Sequence, residues 1–299
     1  IKLLQSGGGM AYVDSELASQ PACWQSAAAL AASASQVLPR PGERVAVVGC
    51  GTSWFIAMAY AALREQTGQG ETDAYPASEF PRGRHYDRVL VITRSGTTTE
   101  VLTLLHELTS PVTAITADPD SPVTKLATDT VLMPFADERS VVQTRFATST
   151  LALLRTHLGE DLTTAVADAA AALAADLPLD PARTEQVTFL GRGWTVGIAY
   201  EAALKCREAA CYWSEAYPAM DYRHGPIAIA AQGRAVWAFG EVPDGLPAQV
   251  VATGAAFTAG DRDPMAELVL AQRFAVALAT HRGLDPDAPR HLTRSVILP

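Results

Sequence analysis

Three ionisable side chains, Glu201, Lys205 and Glu208, stand at i, i+4 and i+7 in a stretch rich in Ala, Leu, Cys and Tyr. A helix over 194–210 would put all three on one face, so that one stripe carries acid, cation and base. The same spacing suits a solvated ion-pair stripe. The apolar company on this helix instead favours partial desolvation, which shifts protonation equilibria and prepares such groups for proton transfer. A second group lies in Thr93-Arg-Ser-Gly-Thr-Thr98, whose hydroxyls, small residues and free amides suit an oxyanion. Helix capping is the plainer role for the same Ser and Thr residues. Arg94 either adds charge to that cradle or stays solvated. His224, in the turn-forming Asp221-Tyr-Arg-His-Gly-Pro226, is placed to act as an acid near neutral pH or to hydrogen-bond at the surface.

Positioning these groups requires strands that end where the loops begin. Arg44-Val-Ala-Val-Val-Gly49 is a short β-branched run that passes through Cys50-Gly51-Thr52-Ser53 into a helix over 54–65. The pattern recurs at Val89 to Thr93, followed by the hydroxyl loop and a helix over 101–108, and again at 112–116 and 129–134, with a helix over 144–158. Strands alternating with helices imply parallel βαβ units. Thr52 and Ser53 then join the 93–98 loop at the carboxyl edge of a sheet, where open α/β folds bind ligands. Upstream, an alanine-rich helix over 14–38 is closed by Pro39-Arg-Pro-Gly42.

A second series begins at Gln186 to Leu190, which leads into Gly191-Arg-Gly193 and the helix over 194–210. Candidate strands at 234–239 and 249–252, a helix over 265–281 and a Pro-containing tail over 285–299 complete it. Gly49-Cys-Gly51 aligns with Gly191-Arg-Gly193, and Tyr75-Pro-Ala-Ser-Glu-Phe80 echoes Tyr212-Trp-Ser-Glu-Ala-Tyr217, a sign of internal duplication. The expected fold class is α/β: two tandem doubly wound, flavodoxin-like parallel-sheet domains over 10–160 and 183–299, linked near 160–182 by an acidic, alanine-rich helix near 160–177 and a Pro-containing stretch at 178–182. Residues 1–9, ending in a triple glycine, lack signal-peptide organisation and are expected to be a leader outside the fold.

Composition narrows the partners. The 299 residues are 48% hydrophobic and 18% charged, which is enough to build a core. A net charge of −9 disfavours nucleic acid and anionic membrane, which need basic surfaces. No run approaches the roughly 20 apolar residues of a membrane span. Cys23, Cys50, Cys206 and Cys211 form no CxxC pair and are expected as reduced thiols, in keeping with a cytoplasmic location. Trp54 and Val196 replace the third glycine of a dinucleotide fingerprint, so no nicotinamide cofactor is expected. The histidines form no ligand cluster, and no metal is expected.

Taken together, Cys50-Gly-Thr-Ser53, Ala77-Ser-Glu-Phe80, Ser95-Gly-Thr-Thr98, Glu201-Ala-Ala-Leu-Lys-Cys-Arg-Glu208, Ser214-Glu-Ala-Tyr217, His224-Gly-Pro226 and Pro289-Arg-His-Leu-Thr-Arg-Ser-Val296 resemble the sugar isomerase (SIS) domain family. Within it they are most similar to the isomerase half of glucosamine-6-phosphate synthases, over about residues 45–299. The resemblance implies a small sugar phosphate held by Ser53, Thr93, Ser95 and Thr98, with Cys50, Gly51 and Thr52 beside it. Arg94 stands where the synthases have glutamine. Val141 and Gln143 would line the sugar, the latter in place of a serine. Glu208 corresponds to the base that moves a proton between adjacent carbons, Lys205 and Glu201 to its polar neighbours, and His224 to a ring-opening histidine supplied by a partner subunit, hence a homodimer.

The implied activity is isomerisation of a hexose or amino-sugar phosphate, or the related deamination, through an enediol or enaminol; a deglycase and a non-catalytic sugar-phosphate sensor are the alternatives. Arg294 occupies the place of a tail lysine and cannot form an imine, because a guanidinium stays protonated. No nucleophilic cysteine opens the sequence, so the complete synthase reaction is not expected.

Overall fold

The computed structural model describes residues 11–298; the expected leader lies outside the described residues. The alanine-rich opening forms two helices, α1 (Tyr12–Ala18) and α2 (Gln20–Ala34), instead of one. Pro21 explains the break. It sits in the first turn of α2, where a missing amide hydrogen costs nothing, but its ring cannot continue a preceding helix.

The first sheet comes from β1 (Val45–Gly49), α3 (Thr52–Gln66), β2 (Thr72–Pro76), β3 (Arg88–Ile92), α4 (Thr99–Glu107), β4 (Val112–Thr116), α5 (Val123–Leu126) and β5 (Asp129–Leu132). Its strands are all parallel, in the order β2-β1-β3-β4-β5. β1, β3 and β4 are buried along their whole length, as continuous apolar runs in a sheet covered on both faces must be. Then come α6 (Arg145–His157), α7 (Thr163–Ala174), β6 (Gln186–Gly191), α8 (Thr195–Ala210), β7 (Ser214–Pro218), β8 (Arg234–Phe239), α9 (Leu246–Ala252), β9 (Ala256–Ala259) and α10 (Pro264–His281). The second sheet is also parallel, ordered β7-β6-β8-β9.

Several expectations change here. Residues 249–252, expected as a strand, end α9; the two valines fit either period, and Pro247 in the first turn starts a helix. The strand follows instead as β9. The echo between the halves also shifts register. Tyr75-Pro76 lies opposite Val48-Gly49, and Tyr217-Pro218 lies opposite Leu190-Gly191, so Tyr75 corresponds to Tyr217 and not to Tyr212.

One hydrophobic core runs between the two sheets. Val45 and Val47 of β1, Phe189 of β6 and Trp237 of β8 pack with Trp24, Tyr60, Phe146, Ile198 and Phe274 from the helices. Fully burying each aromatic of this kind contributes about 1.5–3 kcal/mol over leaving it exposed. The outer faces have smaller cores, Val89 and Val91 against Leu104 on one sheet and Val236 and Ala238 against Leu246 on the other. The alanine-rich helix expected near 160–177, within the linker over 160–182, is α7, whose Ala165, Ala169 and Ala172 are buried in the shared core. The connection is therefore a structural layer in its own right. Among the described residues no helix is long and apolar enough to cross a membrane, and the four cysteines are unpaired.

Candidate active site

Helix α8 packs against both α3 and α10, and the first two members of its charged stripe, Glu201 and Lys205, are buried within that packing. Gly197 lets the first contact form. A methyl group there would lie 2.4 Å from the Phe55 carbonyl oxygen and 2.8 Å from the Ala59 nitrogen, both backbone atoms of α3. Two turns further along, Lys205 crosses to the first turn of α3 and donates to Thr52 Oγ1 at 2.9 Å. The same Nζ lies 2.6 Å from Glu208 Oε2 and 3.3 Å from Glu201 Oε1.

Glu201 and Lys205 are completely buried, while the Glu208 side chain keeps 21% of its surface. The solvated stripe that the spacing also allowed is therefore excluded for the first two. Burial pushes the Glu201 carboxyl up to about 7, with the Lys205 charge opposing that rise and Glu208 adding to it. Neither Glu201 oxygen completes an aligned hydrogen bond, so the ion pair with Lys205 is its main compensation. For Lys205 burial favours the neutral amine, but the Glu201 and Glu208 carboxylates outweigh it and raise its basicity.

The hydroxyl loop takes its shape from Gly96, at φ 62, where an added Cβ would fall 2.2 Å from Ser121 Oγ. Ser95 Oγ accepts from the Thr97 amide at 3.3 Å. The Thr97 hydroxyl lies 3.0 Å from Ser95 Oγ and 2.9 Å from Ser295 Oγ and donates to one of them. Ser295 belongs to the carboxyl-terminal tail, which is laid along the loop. The Thr99 amide donates to the Val296 carbonyl at 3.1 Å, and the Leu298 amide to Thr99 Oγ1 at 2.9 Å.

Loop, tail and α8 enclose a cavity of about 160 Å³. It is bordered by Cys50, Gly51, Thr52, Thr98, Val141, Gln143, Glu208 and Arg294, all singled out in the sequence, and by Leu292, Thr293, Ser295 and Val296 from the tail. Ser53, Thr93 and Ser95 are buried and do not border it. Lys205 and Glu201 stand behind Glu208. His224, itself exposed, ends the 3-10 turn Asp221–His224 and does not border this cavity.

Arg94 is neither the cradle charge nor the solvated arginine that the sequence allowed. Its guanidinium is buried, with Nη1 and Nη2 donating to the Ser140 and Arg294 carbonyls beside Glu138. Sequence inspection missed Glu16, Glu138 and Ser295; the last stood inside a motif already noted, but the two carboxylates act across sequence gaps that leave no local signal. A larger, more open groove of about 510 Å³ beside β9 and α10 contains none of these groups, and its Arg262 and Glu267 pair with each other at 2.9 Å.

Parallel sheets, with a hydroxyl loop at the carboxyl edge of the first and a Glu-Lys-Glu stripe whose first two members are buried, place the chain among the open α/β folds, a class that binds ligands at that edge. Residues 40–158 match the SIS domain family, so the chain carries a SIS domain. It is homologous to the isomerase half of the glutamine–fructose-6-phosphate aminotransferases. The Sulfolobus acidocaldarius enzyme is 25% identical over 296 residues, covering 85% of this chain and 50% of the relative. The Bacillus subtilis enzyme is 26% identical over 307 residues, covering 85% and 51%. The chain thus spans about half the length of the curated relatives it matches.

Glucosamine-6-phosphate deaminase from Thermotoga maritima superposes with a TM-score of 0.80 at 25% identity, over 95% of this chain and 99% of that one. Tagatose-6-phosphate ketose/aldose isomerase from Escherichia coli shares the fold, with a TM-score of 0.76 at 19% identity over 96% of each chain.

Proposed function

We propose that this protein acts on a hexose phosphate or amino-sugar phosphate, as an aldose/ketose isomerase or as an amino-sugar phosphate isomerase or deaminase. The cavity carries this reading: Thr98 of the hydroxyl loop and Glu208 border the same space, with Lys205 seated behind the carboxylate. The phosphate rests against Thr98, where the end of the 93–98 loop meets the cavity beside the amino terminus of α4. Glu208 takes a proton from the carbon next to the open-chain carbonyl, and the electron pair moves to the carbonyl oxygen. The Lys205 ammonium, kept charged by its two carboxylates, holds Glu208 from behind, and its positive charge favours that oxyanion through space. The hydroxyl or amine proton on the deprotonated carbon passes to that oxyanion, and delivery of the abstracted proton to the former carbonyl carbon completes an isomerisation, with the new double bond to oxygen or nitrogen on the deprotonated carbon.

His224, exposed and away from its own cavity, opens the sugar ring in the partner subunit of a homodimer. The guanidinium of Arg294 is engaged by Asp137 and the Glu138 carbonyl, so no imine forms there. The matching strand orders and the common register of Tyr75-Pro76 and Tyr217-Pro218 support descent of the two halves from one duplicated unit. The named activities of the relatives support the choice of substrate class.

A thermal-shift series with fructose 6-phosphate, glucosamine 6-phosphate and their unphosphorylated sugars tests the ligand class. A ligand at 100 times its Kd adds about 2.7 kcal/mol to stability. Stabilisation by the phosphorylated sugars alone is expected; hits confined to the unphosphorylated sugars would overturn the phosphate cradle.

A further inference from the structure

Arg94 lies within the hydroxyl loop but spends its donors elsewhere. Nη1 donates to the Ser140 carbonyl at 3.1 Å and Nη2 to the Arg294 carbonyl at 2.9 Å. Nη1 also lies 3.9 Å from Glu138 Oε2, and the two side chains are 1% and 0% exposed. Nε, buried and without a partner, does not border the cavity. One guanidinium therefore touches two of the cavity's walls while belonging to the third.

Those two walls are also joined to each other and to the helices behind them. The Glu138 carboxylate accepts from the Thr144 amide at 2.5 Å and the Arg145 amide at 2.8 Å, meeting the positive end of α6. Glu16 of α1 accepts from the Arg139 amide at 2.5 Å and from the Ser140 amide and hydroxyl. Arg294 reaches back from the tail to the Glu138 carbonyl and Asp137. The segment so gripped, 137–143, presents Val141 and Gln143 to the cavity.

We infer that Arg94 is a positioning residue, whose forked guanidinium locks the hydroxyl loop, the 137–143 segment and the carboxyl-terminal tail into a single cavity, instead of serving as a ligand for the anion. This rests on the proposed sugar-phosphate site. Its charge is already balanced by Glu138, and desolvated partners hold it in place. A lysine ammonium has no planar fork to span two carbonyls from one fixed position.

The variants Arg94→Gln, Arg94→Lys and the double variant Arg94→Gln/Glu138→Gln separate the two roles. Calorimetric titration gives the affinity for inorganic phosphate and for fructose 6-phosphate, and hydrogen exchange reports on 137–143 and 292–298. For Arg94→Gln, phosphate affinity stays within about twofold while fructose 6-phosphate weakens by about tenfold or more, about 1.4 kcal/mol. Exchange quickens in both segments together, and Arg94→Lys behaves like Arg94→Gln. Should Arg94→Gln strand the buried Glu138 charge and unfold, the double variant removes that charge and keeps the test open.

Equal losses for both ligands with rescue by lysine would show a direct anion ligand and overturn the inference, as would unchanged exchange in the two segments. A wild-type protein that binds neither phosphate nor fructose 6-phosphate would refute the proposed site instead; the exchange measurements would still decide whether Arg94 clamps the walls.

Discussion

The Lys205 ammonium on α8 and the Thr52 hydroxyl in the first turn of α3 are joined at 2.9 Å, across the boundary between the two sheets. That bond fixes the rotation of α8 at the point where Glu208 meets the strand-end loops. It also ties the site to the fold: the same lysine compensates Glu201, which among the described residues pairs with no other cation.

Replacing Lys205 by Met is therefore expected to cost about 3–5 kcal/mol, the usual penalty for stranding one partner of a buried ion pair. Adding Glu201→Gln should return most of that loss. Urea denaturation of the two single variants and the double variant checks this, and additive losses would contradict it.

The elevated Glu201 carboxyl gives a pH dependence with a definite sign. Folding raises its pKa from the ordinary 4.5 to about 7, so the folded state holds an extra proton between those values. The contribution is fully present below about 4.5 and is lost as pH rises through about 7. Chemical denaturation between pH 5 and 8 should show this slope in the wild type and a flatter one in Glu201→Gln.

Gly197 permits the close crossing of α3 and α8. Alanine there adds up to about 1 kcal/mol of helix propensity, but its methyl group meets backbone at 2.4 Å, which no side-chain rotation relieves. Overpacking of this kind costs about 1–3 kcal/mol, so a net loss of stability is expected. Calorimetry should record a lower Tm, together with weaker ligand binding because the Lys205–Thr52 contact opens.

Much of the first sheet is legible in the sequence because β1, β3 and β4 are β-branched runs buried on both faces, each ending at a glycine or hydroxyl turn. β2 and β7 are not, since Thr-Asp-Ala-Tyr-Pro and Ser-Glu-Ala-Tyr-Pro are edge strands with polar residues and carry no apolar run. The Glu201–Lys205–Glu208 stripe follows from helical spacing, and its burial from the apolar residues beside it. The destination of Arg94 does not follow from spacing, because its partners at 138, 140 and 294 are brought to it only by the folded loop and tail. His224 is likewise legible as a turn residue, while its place relative to the cavity depends on tertiary and quaternary packing.

The most direct measurement is deuterium uptake from solvent into fructose 6-phosphate, and into glucosamine 6-phosphate, followed by NMR with the wild-type protein and with Glu208→Gln. Exchange at the carbon beside the carbonyl is expected for the wild type, with a rate about 10²–10⁴ lower in the variant and Kd little changed, as removal of a general base requires. Equal exchange rates in the two proteins, or no exchange by a wild type that binds the ligand, would contradict a proton shuttle at Glu208.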